Sequence, residues 1–95
     1  MRMPVKLSDE RLHAIAKALA DPRRLDLLRR IGKAGDTLAC ESLRCVCNVT
    51  PATLSHHMKE LETAGLVESA REGKFVNYTL RRDVLEAYLA AMAQI

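Results

Sequence analysis

Two adjacent histidines, His56 and His57, stand in the stretch TPATLSHHMKELETAGLVES (residues 50–69), and the whole chain holds only three histidines. A few residues upstream, CESLRCVC carries all three cysteines, Cys40, Cys45 and Cys47. Imidazole and thiolate are common zinc donors, and together they form a nucleophile with its base. On a helix face an imidazole can instead touch something large and polar. Zinc, thiol chemistry and surface recognition are the three options, and the elements that position these residues decide between them.

Ninety-five residues form one domain with a modest core and little room for a deep cleft. A composition of 48% hydrophobic and 28% charged residues is that of a globular chain rather than a disordered one. The aromatic residues are Phe75, Tyr78 and Tyr88, too few for a platform that stacks single-stranded bases. A net charge of +3 is compatible with a polyanionic partner without demanding one. No apolar run is long enough to span a bilayer, and no membrane partner is expected. The opening MRMPVKLSDERL has no signal-peptide core, so the expected compartment is the cytoplasm, where thiols stay reduced. An odd number of cysteines also rules out a closed set of internal disulfides.

Residues 1–8 read as a flexible lead-in to a single domain over 9–95. Ser8 is placed to cap a helix over 9–20, with Asp9 and Glu10 at its positive end and Leu12, Ile15, Ala16 and Leu19 at helical spacing. Asp21 and Pro22 open a second helix, whose Leu25, Leu27, Leu28 and Ile31 form a wide apolar arc and which Gly32 and Gly35 end. A short third helix is expected over about Leu38 to Val46. A fourth, over 50–64, starts at the cap Thr50 with Pro51 first and stops at Gly65. The period then changes, and LVESAREGKFVNYTL reads as two strands around a tight turn at Glu72-Gly73. Asp83 caps or opens a last helix over 83–94, with Leu85, Tyr88, Leu89 and Met92 on one side. The fold class is mostly α with a β-hairpin (α+β), in the order α-α-α-α-β-β-α. Two short helices around a tight turn, followed by a basic-tipped hairpin, make a winged helix-turn-helix.

At 100° per residue the two histidines diverge. Leu54, His57, Met58 and Leu61 share one side of the fourth helix, where His57 is expected to be buried, hydrogen-bonded and neutral. Ala52, Ser55, His56, Lys59 and Thr63 share the other. A hydroxyl, an imidazole and an ammonium along one face suit a major groove, where they reach base edges and phosphates. The plain alternative is a solvated helix face.

The segments DPRRLDLL, TPATLSHHMKELETAGLV and REGKFVNYTL, in that order and with those gaps, resemble the ArsR-type family of winged helix-turn-helix transcriptional repressors over about residues 9–95. The resemblance implies a homodimer that binds double-stranded operator DNA and releases it when an inducer binds. It makes helix 50–64 the recognition helix, the hairpin near Gly73 the wing, and Thr50, Thr53, Ser55, His56 and Lys59 residues that face DNA. Pro51 and Ala52 depart from the polar pair often found at the start of this helix. Arg71 and Lys74 flank the wing tip and are expected on phosphates or in a minor groove. Arg23, Arg24 and Arg81 are looser candidates, for which a solvated surface serves equally well. The dimer contact is expected from helices 9–20 and 83–94, through Leu12, Ile15, Leu19, Leu85, Tyr88, Leu89 and Met92. Two recognition helices related by a two-fold axis would read an inverted repeat.

The family often senses metals, metalloids or oxidants. One sensor type carries a Cys-x-Cys pair near the start of the third helix, whereas Cys45 and Cys47 fall at its end. A second site uses Asp and His on the last helix, and no histidine follows Asp83. On a helical wheel Cys40, Leu43, Val46 and Cys47 share a face while Cys45 points away. Cys40 and Cys47 would lie about 10 Å apart along the axis at a rise of ~1.5 Å per residue. Cys40 and Cys47 are therefore expected as small core residues and Cys45 as exposed, with no cofactor. A thiophilic metalloid or metal inducer, or an oxidant, acting on the three cysteines is the alternative. Three further rivals remain. One is an enzyme, which lacks an orienting partner and a pocket. Another is a structural zinc site of the cysteines with His56 or His57, whose ligand spacing is unusual. The last is a winged helix used for contact with protein or RNA, which the polar stripe and basic wing tip disfavour.

Overall fold

The computed structural model describes residues 5–46 and 49–95, and for residues 45 and 46 the backbone only. Its elements run α1 (Asp9–Leu19), α2 (Pro22–Lys33), β1 (Thr37–Ala39), α3 (Cys40–Val46), α4 (Pro51–Thr63), β2 (Val67–Glu72), β3 (Phe75–Leu80) and α5 (Arg82–Ala93). The architecture is the expected winged helix-turn-helix with one addition. Strand β1 occupies the start of the expected third helix, which therefore begins at Cys40. It pairs with β3 to give a three-stranded antiparallel sheet of order β1-β3-β2.

The helix starts follow local chemistry. Ser8 caps α1 by accepting from the Arg11 amide at 3.2 Å, and Asp21 caps α2 through the Arg23 amide at 2.8 Å. Pro22 and Pro51 occupy the first turns of α2 and α4, where a missing amide leaves nothing unsatisfied. Helix α4 stops in a Schellman motif. The Leu66 amide donates to the Leu61 carbonyl at 3.0 Å and the Gly65 amide to the Glu62 carbonyl at 2.9 Å. Gly65 takes the left-handed conformation this requires, at φ 84°.

The hairpin turn sits one residue later than expected. Glu72 pairs with Phe75, leaving Gly73 and Lys74 as a two-residue loop. Gly73 has φ 60°, the conformation that a first loop residue of this hairpin class needs. Helix α5 starts at Arg82 with no side-chain cap; Asp83, expected as a possible cap, lies within its first turn and holds the guanidinium of Arg81 instead.

The core forms where five helices meet the sheet. Ile15, Ile31, Leu43, Leu54, Met58, Leu61, Leu66, Val67 and Val84 are its largest fully buried side chains, each worth roughly 1.5–3 kcal/mol in apolar burial. Part of the lead-in joins them, since Val5 and Leu7 are half-buried against this core. Among the described residues no helix is long and apolar enough to cross a membrane.

Candidate nucleic-acid interface

Helix α4 is two-faced as its period requires. Leu54, His57, Met58 and Leu61 are buried against the core, while Ala52, Ser55, His56, Lys59 and Thr63 are exposed. Ser55, His56 and Lys59 make no hydrogen bond or ion pair among the described residues, so their polar atoms are available to a ligand. Thr50 and Thr53 stand together at the start of the helix. Thr50 accepts from the Thr53 amide at 3.2 Å and donates its hydroxyl to the Thr53 hydroxyl at 2.9 Å. The Thr53 hydroxyl then keeps its own proton for an outside acceptor such as a phosphate oxygen.

The ladder register orients the wing. Val67, Ser69 and Arg71 lie opposite Leu80, Tyr78 and Val76, so Arg71 shares the sheet face that carries the core. Helix α4 packs against β2 on that side, and the Ser69 hydroxyl donates to Glu62 Oε1 of α4 at 2.9 Å. Arg71 is exposed and unpaired among the described residues. Lys74, in the turn, has its ammonium 5.9 Å from the centre of the Phe75 ring.

The three looser arginine candidates separate. Arg24 closes the end of α1, donating to the Ala18 carbonyl at 2.6 Å and the Lys17 carbonyl at 3.4 Å, and it lies 3.8 Å from Asp21. Arg81 is held by Asp83 at 3.0 Å and by Glu68 at 2.8 Å. Both are structural. Arg23 alone has an exposed side chain with no bond of its own among the described residues.

His57 is buried at 6% exposure, as expected, but it is not hydrogen-bonded: neither ring nitrogen has a partner among the described residues. The apolar surroundings that suit the ring leave its nitrogens facing no acceptor or donor. Burial pushes its pKa below the ordinary value of 6.5; Asp21 opposes that shift, and Arg24, His56 and Arg23 reinforce it.

The residues expected at a dimer contact also separate. Ile15 is fully buried in the core of its own chain. Leu12, Leu19, Leu85 and Tyr88 are half-buried, while Leu89 and Met92 are 56% and 38% exposed. Leu19, Leu25, Leu28, Leu85, Tyr88 and Leu89 line an open apolar groove between α1, α2 and α5. Sequence reasoning missed the clamp at its edge, where Arg82 of α5 donates twice to Asp36, at 2.8 Å each. Nothing local signals a pair 46 residues apart.

Cys40 is half-buried against the core with a free thiol. The Cys45 side chain and Cys47 lie outside the described residues, and with them the three-cysteine arrangement. Among the described residues no three histidine, cysteine, aspartate or glutamate side chains come together as metal ligands.

A helix-turn-helix domain family model matches residues 19–70, from the end of α1 into β2. The arsenical resistance operon repressor of Staphylococcus xylosus is 35% identical over 86 residues, covering 84% of this chain and 75% of that protein. The chain belongs to the ArsR family of winged helix-turn-helix transcriptional regulators. A second relative, the uncharacterised HTH-type transcriptional regulator YceK of Bacillus subtilis, is 35% identical over 88 residues, covering 92% of this chain and 88% of that one. Among solved structures, the homodimeric winged helix-turn-helix DNA-binding domain Mb0332 from Mycobacterium bovis, a possible ArsR-family regulator, superposes with a TM-score of 0.72. It is 27% identical, covering 94% of this chain and 87% of that one.

Proposed function

We propose that this chain is a homodimeric repressor that reads an inverted repeat in duplex DNA. Its two α4 helices enter major grooves about one helical turn, ~34 Å, apart. The observation that carries this is the unpaired stripe of Ser55, His56 and Lys59, exposed on a helix whose other face is locked into the core. Ser55 and His56 read base edges, and Thr50, Thr53 and Lys59 hold phosphates. Arg71 and Lys74 bring the wing to the backbone or minor groove. The exposed Leu89 and Met92, with the half-buried Leu12, Leu19, Leu85 and Tyr88, supply the dimer contact. The relative Mb0332 is itself homodimeric. Such a repressor works in the cytoplasm and does no chemistry on its DNA.

The test is selection from a random duplex pool with the purified protein. An enriched inverted repeat is expected, bound more weakly as salt rises because cations compete for the phosphates. His56→Ala should flatten the base preference, whereas Arg71→Ala should weaken all sequences alike and reduce the salt slope by about one. A pool that emerges without a common sequence overturns the reading.

A further inference from the structure

The described chain leaves four large apolar side chains exposed. Leu89, Met92 and Ile95 lie on or just beyond α5, in the region assigned to the dimer contact, and Phe75 stands apart from them at the tip of the wing, 49% exposed. Its position is fixed rather than incidental. Phe75 and Glu72 form the last pair of the β2–β3 ladder, and only the Gly73-Lys74 turn lies beyond. Strand alternation puts Val76, Tyr78 and Leu80 on the core face, so Phe75 stands on the opposite one. An aromatic ring left half in water at a basic tip has no role in the core.

We propose that Phe75 is a DNA-contact residue whose ring packs against the deoxyribose wall of the minor groove flanking each half-site. The inference rests on the DNA-binding reading above and assigns a residue that reading leaves out. Two features favour a sugar wall over a protein surface. The Lys74 ammonium, 5.9 Å from the ring centre, places a positive charge beside the apolar ring, matching a phosphate beside its sugar. The hairpin carrying both is tied to the recognition helix by the Ser69–Glu62 bond, so seating α4 in a major groove brings the tip towards the backbone beside it. Apolar side chains of this kind are a recurring device of minor-groove contact.

The test uses the full-length protein on its selected operator, with affinity measured over a series of salt concentrations. Phe75→Ala should weaken binding about tenfold, since it removes an apolar contact of aromatic size. The salt dependence should not change, because no charge is lost. Phe75→Trp should bind as the parent does. Hydroxyl-radical footprinting, which reports on the sugars, should show protection lost outside the two half-sites in Phe75→Ala and kept within them. Binding by Phe75→Ala within twofold of the parent overturns the inference and leaves the DNA reading intact. A lower melting temperature or a lost dimer that accounts for the weaker binding overturns it too, by making Phe75 structural. If the parent selects no operator, the inference falls with the reading beneath it.

Discussion

The hydroxyl of Ser69, on β2, donates to Glu62 Oε1, on α4, across 2.9 Å. This bond joins α4 to the wing hairpin on an exposed surface, so its worth lies in orientation rather than stability. Ser69→Ala should therefore change unfolding free energy by no more than about 0.5 kcal/mol, the range of ordinary surface substitutions. Operator affinity should fall severalfold, because wing and helix no longer arrive in one geometry. Urea unfolding and DNA titration on the same preparation check the split. Parallel losses in both would mean the bond only stabilises the fold.

The two faces of α4 predict opposite consequences. Leu61 is fully buried and also anchors the Schellman motif, so Leu61→Ala should cost about 2–5 kcal/mol. Thr50→Ala removes the cap and should cost about 1 kcal/mol. His56→Ala, on the exposed face, should leave stability within about 0.5 kcal/mol while it alters DNA binding. Chemical denaturation of the three variants ranks them, and a destabilised His56→Ala would contradict the exposed placement of that ring.

This contrast was legible in the sequence because its causes are local. Thr50, Pro51, the 3.6-residue period and Gly65 all act within α4 itself. What stayed hidden depends on distant partners. Strand β1 is three residues long and owes its form to pairing with β3, Thr37 meeting Thr79. The Asp36–Arg82 clamp and the attachments of Arg24 and Arg81 join separate elements, so those arginines look like any other surface cation in the sequence. Ile15 shares its helical stripe with Leu12 and Leu19. Periodicity alone does not tell which side of that stripe turns inward.

Gly65 and Gly35 both hold positive φ, 84° and 80°, and they make a controlled pair. A Cβ at Gly35 would meet nothing within 4 Å, so Gly35→Ala should cost only the left-handed backbone penalty of about 1 kcal/mol. A Cβ at Gly65 would run into the Arg11 guanidinium as well. Gly65→Ala should be the more damaging of the two, by the work of displacing that side chain. Equal unfolding midpoints would show that Arg11 moves aside at no cost.

Leu89 offers a clean test of assembly, because 56% of it is exposed on α5 and its removal leaves the protomer core whole. Leu89→Arg should give a folded monomer in sedimentation experiments. Its operator affinity should drop by more than about tenfold, since the second half-site no longer binds at the high effective concentration that a dimer provides. A variant that still sediments as a dimer would move the contact away from α5.

The buried ring of His57 makes stability depend on mild acid. Its pKa in the folded chain is depressed below 6.5, chiefly by burial, so between that depressed value and 6.5 the unfolded chain binds more protons than the folded one. Stability is therefore fully present above about pH 6.5 and declines as the pH falls below it. Asp21 does not confuse the window: the Arg23 amide bond holds its pKa below 3.8, so it stays charged throughout. His57→Leu keeps an apolar side chain among Leu54, Met58 and Leu61 and removes two unpartnered nitrogens. It should match or exceed the parent in stability at pH 7.5, and it should lose less than the parent on moving to pH 5.5. Urea unfolding at the two pH values gives four free energies and one difference of differences. If that difference is zero, the ring takes up its proton as readily inside the fold as in the unfolded chain, and its seat is not apolar.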